Sequence, residues 1–201
     1  MYIFELSKLP CNRELHFGGK ATSLHRLMQE HLRVPFGYAI CAEAFENGEL
    51  CEQAKDELVA LAKRIPDKYT YAVRSSAVGE DGLKDSFAGA YETVLDVPAE
   101  KIFDAVQTVA RSAKSERVAV YGENRNVEYG QIAVIIQRFI SPEYAGVLFT
   151  ADTITASSAF MIGNYVKGIG ETLVSGNEID GEIRFNIVKY DYNGPVEFKP
   201  Y

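Results

Sequence analysis

The chain is poor in the residues that build metal and redox centres. Its 201 residues include three cysteines, Cys11, Cys41 and Cys51, and three histidines, His16, His25 and His31. The cysteine count is odd, and the spacing fits neither a zinc motif nor a redox CxxC pair. Three reduced, partly buried thiols are therefore expected. No histidine stands at ligand spacing from a carboxylate or cysteine, so no metal site is expected on them. No apolar run reaches the roughly 18 residues of a membrane-spanning helix. The opening MYIFELSKLP lacks the basic start and long apolar core of a signal peptide. A cytoplasmic protein with no membrane partner is expected. Positive charge is also short: 21 Lys and Arg stand against 28 Asp and Glu, a net charge of −7. That argues against broad nucleic-acid binding, which wants a basic face. It leaves room for an anionic ligand held by local cations and backbone N–H groups.

What is present is globular. Hydrophobic residues make up 47% and charged residues 24%, and the length suits one ordinary domain or two small ones. KATSLHRLMQEHL reads as a helix with Leu24, Leu27, Met28 and Leu32 on one face, ended by Pro35. ELCEQAKDELVALAKRI places Leu50, Ala54, Leu58, Leu61 and Ile65 at helical spacing, with Pro66 as the stop. YTYAVRSS and AYETVLDV read as strands, the second with Tyr91, Thr93, Leu95 and Val97 on one face. Pro98 opens a third helix with Ile102, Val106, Val109 and Ala113 on its stripe. After Gly130 the texture turns to strands: QIAVIIQRFI, GVLFT, SAFMIGNY and EIRFNIVKY. A helix-rich first part and a strand-rich second part predict an α+β fold. The expected division is 1–125 and 126–201, with a seam in the polar stretch Gly122 to Gly130.

Four stretches could carry chemistry. In FGGKATSL the glycines permit close backbone approach, and Lys20 starts a helix whose N–H groups favour an anion. It lacks P-loop spacing, and a plain glycine turn with a solvated lysine would look the same. In YAVRSSAVGEDGLKDSFAGAYETVLDV, Arg74 ends an apolar strand and can fork onto an anion. Ser75 and Ser76 add hydroxyls, Gly89 would let a loop close, and Thr93 could hydrogen-bond from the next strand. The competing reading is a salt bridge from Arg74 to Glu80 or Asp81. In AVIIQRFI, Gln137 interrupts an apolar run, so it either contacts a ligand or faces solvent on an edge strand. GVLFTAD and GIGETLVSG, with Asp152, Gly168, Gly170, Glu171 and Gly176, form either a cleft wall or an ordinary loop.

The order of these blocks resembles one family. GGK–SL, then VRSSA–ED–SFAG–ET, then a strand with Ile-Gln, then GV-FT-D, then G-GE–VSG, is similar to the N-terminal ATP-binding domain of pyruvate phosphate dikinases and phosphoenolpyruvate synthases. The likeness runs from Gly18 to about Gly176. It implies an ATP-grasp-like nucleotide-binding domain that passes phosphate from ATP to a histidine on a separate domain. It implies that Lys20 and Arg74 contact phosphates, that Gly89 and Thr93 lie near them, and that Gln137 lies near the adenine or the cleft. Magnesium is implied too.

There are departures. Val78-Gly79 precedes the acidic pair, Ala90 stands where the family has glutamine, and Thr153 stands where it has proline. The family's acidic and Leu-Gln-Ser-Arg-Pro-like strands, which supply the magnesium ligands and a further arginine, are not found before the terminal NGPVEFKPY. The chain is therefore expected to be the N-terminal part of such a phosphotransferase, either a fragment or a naturally short relative. Its magnesium ligands, phosphohistidine domain and acceptor domain would lie elsewhere, with no catalytic residue of its own and none of His16, His25 and His31 as phosphocarrier. The alternative is a non-catalytic module that keeps the fold and binds a nucleotide or a partner.

Overall fold

The computed structural model describes residues 1–10, 15–77, 92–112, 132–152, 154–174, 176, 179–187 and 191–193. The chain divides into two compact units, Met1–Phe139 and Ile140–Tyr201. The seam expected at Gly122–Gly130 lies outside the described residues. The fold is mixed α and β.

The first unit is built on a five-stranded sheet. Its strands are β1 (Ile3–Glu5), β2 (Gly37–Ile40), β5 (Tyr71–Ala77), β6 (Thr93–Val97) and β7 (Ile132–Arg138). They lie in the order β1-β2-β7-β5-β6, and every neighbouring pair is antiparallel. The β-branched run of β7 belongs at the centre because both of its faces are covered. Ile132 to Gln137 are all buried, as a two-sided strand requires.

One face of the sheet carries helices α2 (Glu52–Arg64) and α3 (Ile102–Ser112). Their apolar stripes seal a core against alternate strand residues. Ala54, Leu58, Leu61, Ile102, Val106 and Val109 pack with Ile40, Val73, Val134 and Ile136. Each fully buried aliphatic side chain of this kind contributes about 1.5–3 kcal/mol. The other face carries α1 (Gly18–Gln29). There Phe17 and Ala21 pack with Leu6, Ala39, Cys41 and Ile135.

Several expected elements shift. Helix α1 stops at Gln29 and does not run on towards Pro35. His31 takes a left-handed conformation (φ 58°), and the N–H groups of His31 and Leu32 return to the carbonyls of Met28 and Leu27. This is a Schellman stop. Leu32 falls beyond the helix, Leu27 within it lies off the packed stripe, and both are exposed; the helix is held by Ala21, Leu24 and Met28. Leu50 belongs to a small hairpin and not to α2. Strands β3 (Phe45–Glu46) and β4 (Glu49–Leu50) flank Asn47 and Gly48, both at positive φ, the Asn-Gly turn that hairpins favour. In β6 the inward residues are Val94 and Val97, not the strict alternation through Thr93 and Leu95. The pairing of β5 with β6 shifts register between Tyr71 and Val73, and Asp96 sits at φ 55°.

The second unit holds a four-stranded antiparallel sheet. Its strands are β8 (Tyr144–Phe149), β9 (Phe160–Lys167), β10 (Gly181–Asn186) and β11 (Asp191–Asn193), in the order β11-β10-β9-β8. The short helix α4 (Glu171–Val174) occupies the glycine-rich stretch, between Gly168 and Gly176 at positive φ.

Candidate functional site

Sheet register brings the expected residues onto one face. Arg74 on β5 lies directly opposite Thr93 on β6 and Ile135 on β7. Ile135 in turn lies opposite Ala39 on β2. Directly opposed residues of antiparallel strands point the same way. Ile135, Ala39 and Ala21 of α1 share one packed cluster, so Arg74 and Thr93 stand on the side of the sheet that α1 covers. Gln137, two residues along β7 from Ile135, points to that side as well. Lys20 lies in the first turn of α1. Thus four of the five expected residues, Lys20, Arg74, Thr93 and Gln137, belong to one face of the first unit. Gly89 lies outside the described residues, as do Glu80 and Asp81.

The environments differ. Arg74 and Thr93 are exposed, and Lys20 is half-buried. Among the described residues Arg74 meets no carboxylate, and the Glu80 and Asp81 of the salt-bridge reading lie outside them. Gln137 does not sit on an edge strand. It is 8% exposed on the central strand, and its Nε2 donates to the Pro35 carbonyl at 2.9 Å. That bond holds the chain just before β2 and fixes the amide in place.

Helix α1 is seated by close backbone contact. Gly18 has φ +70°, and a Cβ there would fall 2.1 Å from the Ser76 carbonyl oxygen. Only glycine permits this approach. Ser76, fully buried, accepts the Ala21 N–H on its hydroxyl at 3.1 Å. No side chain at Phe17 caps the helix, so Ser76 serves from another strand. The positive end of α1 is thereby pinned beside the strand that carries Arg74.

A second anchor was not legible from spacing. His16 donates its backbone N–H to Glu43 Oε2 at 3.0 Å, and its Nδ1 lies 2.6 Å from Glu43 Oε1. Burial raises the Glu43 carboxyl, but the His16 backbone and ring donors outweigh it and hold the group below its usual range. The Cys41 thiol beside it is pushed up to about 12, first by burial and then by the hydrogen bond and charge of Glu43. Cys41 is a free, fully buried thiol and Cys51 a free, half-buried one; Cys11 lies outside the described residues.

In the second unit Asp152 closes a turn. It accepts the Thr155 hydroxyl at 2.6 Å and the N–H groups of Ile154 and Thr155 at 2.8 and 3.2 Å. The Thr155 hydroxyl, then these N–H donors, hold its carboxyl below the ordinary range. The side chain organises its own loop. Among the described residues no group of three or more His, Cys, Asp or Glu could hold a metal ion, and no helix is long and apolar enough to cross a membrane.

Comparison with known proteins gives this glycine-seated helix and its neighbouring arginine a family. Residues 47–190 match the family described as pyruvate phosphate dikinase, AMP/ATP-binding domain. The chain belongs to that family. It is 31% identical to the prodigiosin synthesizing transferase PigC of Serratia marcescens, over 86% of this chain and 23% of that protein. It is 27% identical to a rifampicin phosphotransferase of Bacillus cereus, over 87% of this chain and 25% of that protein. It is 33% identical to the phosphoenolpyruvate synthase of Pyrococcus furiosus, over 64% of this chain and 16% of that protein. The matched regions thus span a quarter or less of these relatives.

Proposed function

We propose that this chain is the ATP-binding portion of a phosphotransferase resembling phosphoenolpyruvate synthase and pyruvate phosphate dikinase. Its nucleotide domain is ATP-grasp-like, and it passes phosphate from ATP to a histidine on a separate domain. Lys20 and Arg74 hold the phosphates, Gly89 and Thr93 lie beside them, and Gln137 shapes the adenine end of the cleft. Membership of the AMP/ATP-binding family supports the ligand. The names of the matched phosphotransferases and synthase support phosphoryl transfer.

The observation that carries the reading is Arg74. It is exposed and shares a sheet face with the pinned start of α1. Phosphoryl transfer asks a protein mainly for positioning and charge neutralisation. An arginine fork and a helix terminus supply both. Magnesium would add the remaining charge neutralisation when bound. Among the described residues no group of three or more His, Cys, Asp or Glu could hold it.

Titrating ATP, as its magnesium salt, into the chain tests the reading. Saturable binding in the millimolar range is expected, weakened about tenfold in Arg74→Ala by the loss of a charge-assisted hydrogen bond. Absence of saturable binding by the folded chain, or equal affinity in a folded Arg74→Ala protein, would overturn it.

A further inference from the structure

Helix α1 can hold phosphate only if its first turn is held in register with β5. One fixing point is Ser76, already described. The other lies across the end of the sheet. Ser76 faces Ala133 on β7. Cys41 follows Ile40, which pairs with Val134, and therefore lies level with Ala133 on the next strand. The chain from His16 to Gly18 bridges these strand ends, from beside Cys41 to Ser76. At the β2 end His16 is bonded on both sides of its backbone. Its carbonyl accepts the Ala42 N–H at 2.8 Å, and its N–H goes to Glu43 Oε2 at 3.0 Å. The ring adds the contact at 2.6 Å to Oε1.

We infer that the Glu43–His16 pair is a positioning device for the nucleotide site: it fixes the glycine turn that presents α1 and Lys20 to phosphate. This rests on the proposed function above. Glu43 acts through the main chain of His16 and not by touching the ligand. A carboxylate suits the task because both oxygens accept, one from the main chain and one from the ring. The imidazole can offer Nδ1–H to it in either protonation state. Between the two ends Phe17 packs into the core under α1, and Gly18 has no side chain to add, so the main chain of the turn is fixed by that packing together with the bonds at its two ends.

A suitable control exists in the same unit. Glu57 on α2 also accepts backbone N–H groups, from Tyr2 at 2.8 Å and Ile3 at 3.1 Å. Its loss should lower stability without touching the glycine turn.

The experiment compares Glu43→Ala, Glu43→Gln, His16→Ala, His16→Asn and Glu57→Gln with the parent chain. Two readouts are used: ATP affinity by titration, and amide hydrogen exchange of Gly18 to Ala21. Glu43→Ala should weaken ATP by about tenfold or more, the equivalent of one charge-assisted hydrogen bond, and should speed exchange in the first turn of α1. His16→Asn, which keeps a donor near the Nδ1 position, should recover most of what His16→Ala loses. Glu57→Gln should leave both readouts at parent values after correction for global stability. If Glu43→Ala fails to fold, Glu43→Gln and His16→Ala carry the comparison. Unchanged first-turn exchange in the Glu43 and His16 variants would overturn the positioning role, as would ATP weakening that merely follows the stability lost in Glu57→Gln. Failure of the parent chain to bind ATP would overturn the proposed function, while the exchange data would still judge the device.

Discussion

At the scale of the residue, the site is made by neighbours as much as by the side chains that would meet a ligand. Arg74 is defined by where it stands, exposed on the sheet face that α1 covers. Gln137 is defined by what it already has, the Pro35 carbonyl. Cys41 is the extreme case. Its thiol is enclosed beside a carboxylate held ionised by His16, so the protonated form is strongly favoured, with a pKa of about 12. An unfolded cysteine titrates near about 8.5. The stabilisation linked to this group is therefore fully present below that pH and is lost as pH rises towards the folded value. Thiolate, not thiol, attacks alkylating agents. At pH 8 the native chain should leave Cys41 unmodified by iodoacetamide while half-buried Cys51 reacts, and unfolding should expose both. Peptide mass spectrometry reads the result. Equal labelling of Cys41 and Cys51 in the native state would contradict the buried, neutral thiol.

At the scale of the element, local pattern and tertiary contact divide the work. The stripe of α2 was legible because Ala54, Leu58, Leu61 and Ile65 keep helical spacing and all four are buried. The same holds for Ile102, Val106 and Val109 of α3. Periodicity also suggested Leu27 and Leu32 as core, and there it failed: they stand at the two ends of the longer Schellman bond, Leu32 N–H to Leu27 carbonyl, where apolar residues are common for the sake of the stop itself. The short strands β1 and β2 were not read, since three or four residues give too little alternation to register. The Asn-Gly turn between β3 and β4 was present in the sequence as a signal, and it stands directly before the segment whose helical spacing takes in Leu50. The site followed the same division. Lys20, Thr93 and Gln137 were legible as residue types near element ends, whereas Arg74, expected at a strand end, lies midway along β5 because the strand runs on to Ala77; their common face depends on register and on the irregularity beside Tyr71. Glu43 and His16, 27 residues apart, left no local trace. The seat of α1 gives a direct test of tertiary fixing. Gly18→Ala meets both a left-handed φ and the Ser76 carbonyl, and should destabilise the first unit by about 2–5 kcal/mol, from backbone strain plus overpacking. Gly168→Ala shares the positive φ (+82°) but has open space around its added Cβ. It should cost only about 1–2 kcal/mol. Denaturant unfolding of the two variants compares them, and equal costs would mean that the Gly18–Ser76 contact yields without strain.

At the scale of the molecule, the two units are not equally provided with core. The first places Ile40, Leu58, Val73, Ile102, Val106, Val134 and Ile136 at no exposure at all. In the second, among the described residues, Val166 is the single buried apolar side chain apart from glycine. Val147, Leu148 and Phe149 of β8 are exposed, and Ile154 is 93% exposed. Hydrogen bonds pair the strands of both sheets, so the difference lies in burial. Each aliphatic side chain that stays in water forgoes about 1.5–3 kcal/mol. Local opening follows such differences, and weakly buried segments exchange their amides through smaller fluctuations. The amides of β5 and β7 should therefore be the slowest in the protein. Those of β8, β9 and β10 should exchange at least about a hundredfold faster, the equivalent of roughly 2.7 kcal/mol. Hydrogen exchange followed by mass spectrometry, on the whole chain near neutral pH, resolves the two sets. A ligand at the first unit's site should slow α1 and β5 further while leaving the ratio between the sheets in the same direction. Equal protection of β7 and β9 would mean that the second sheet is held as firmly as the first, and stability in this protein could not be read from the apolar burial of its strands.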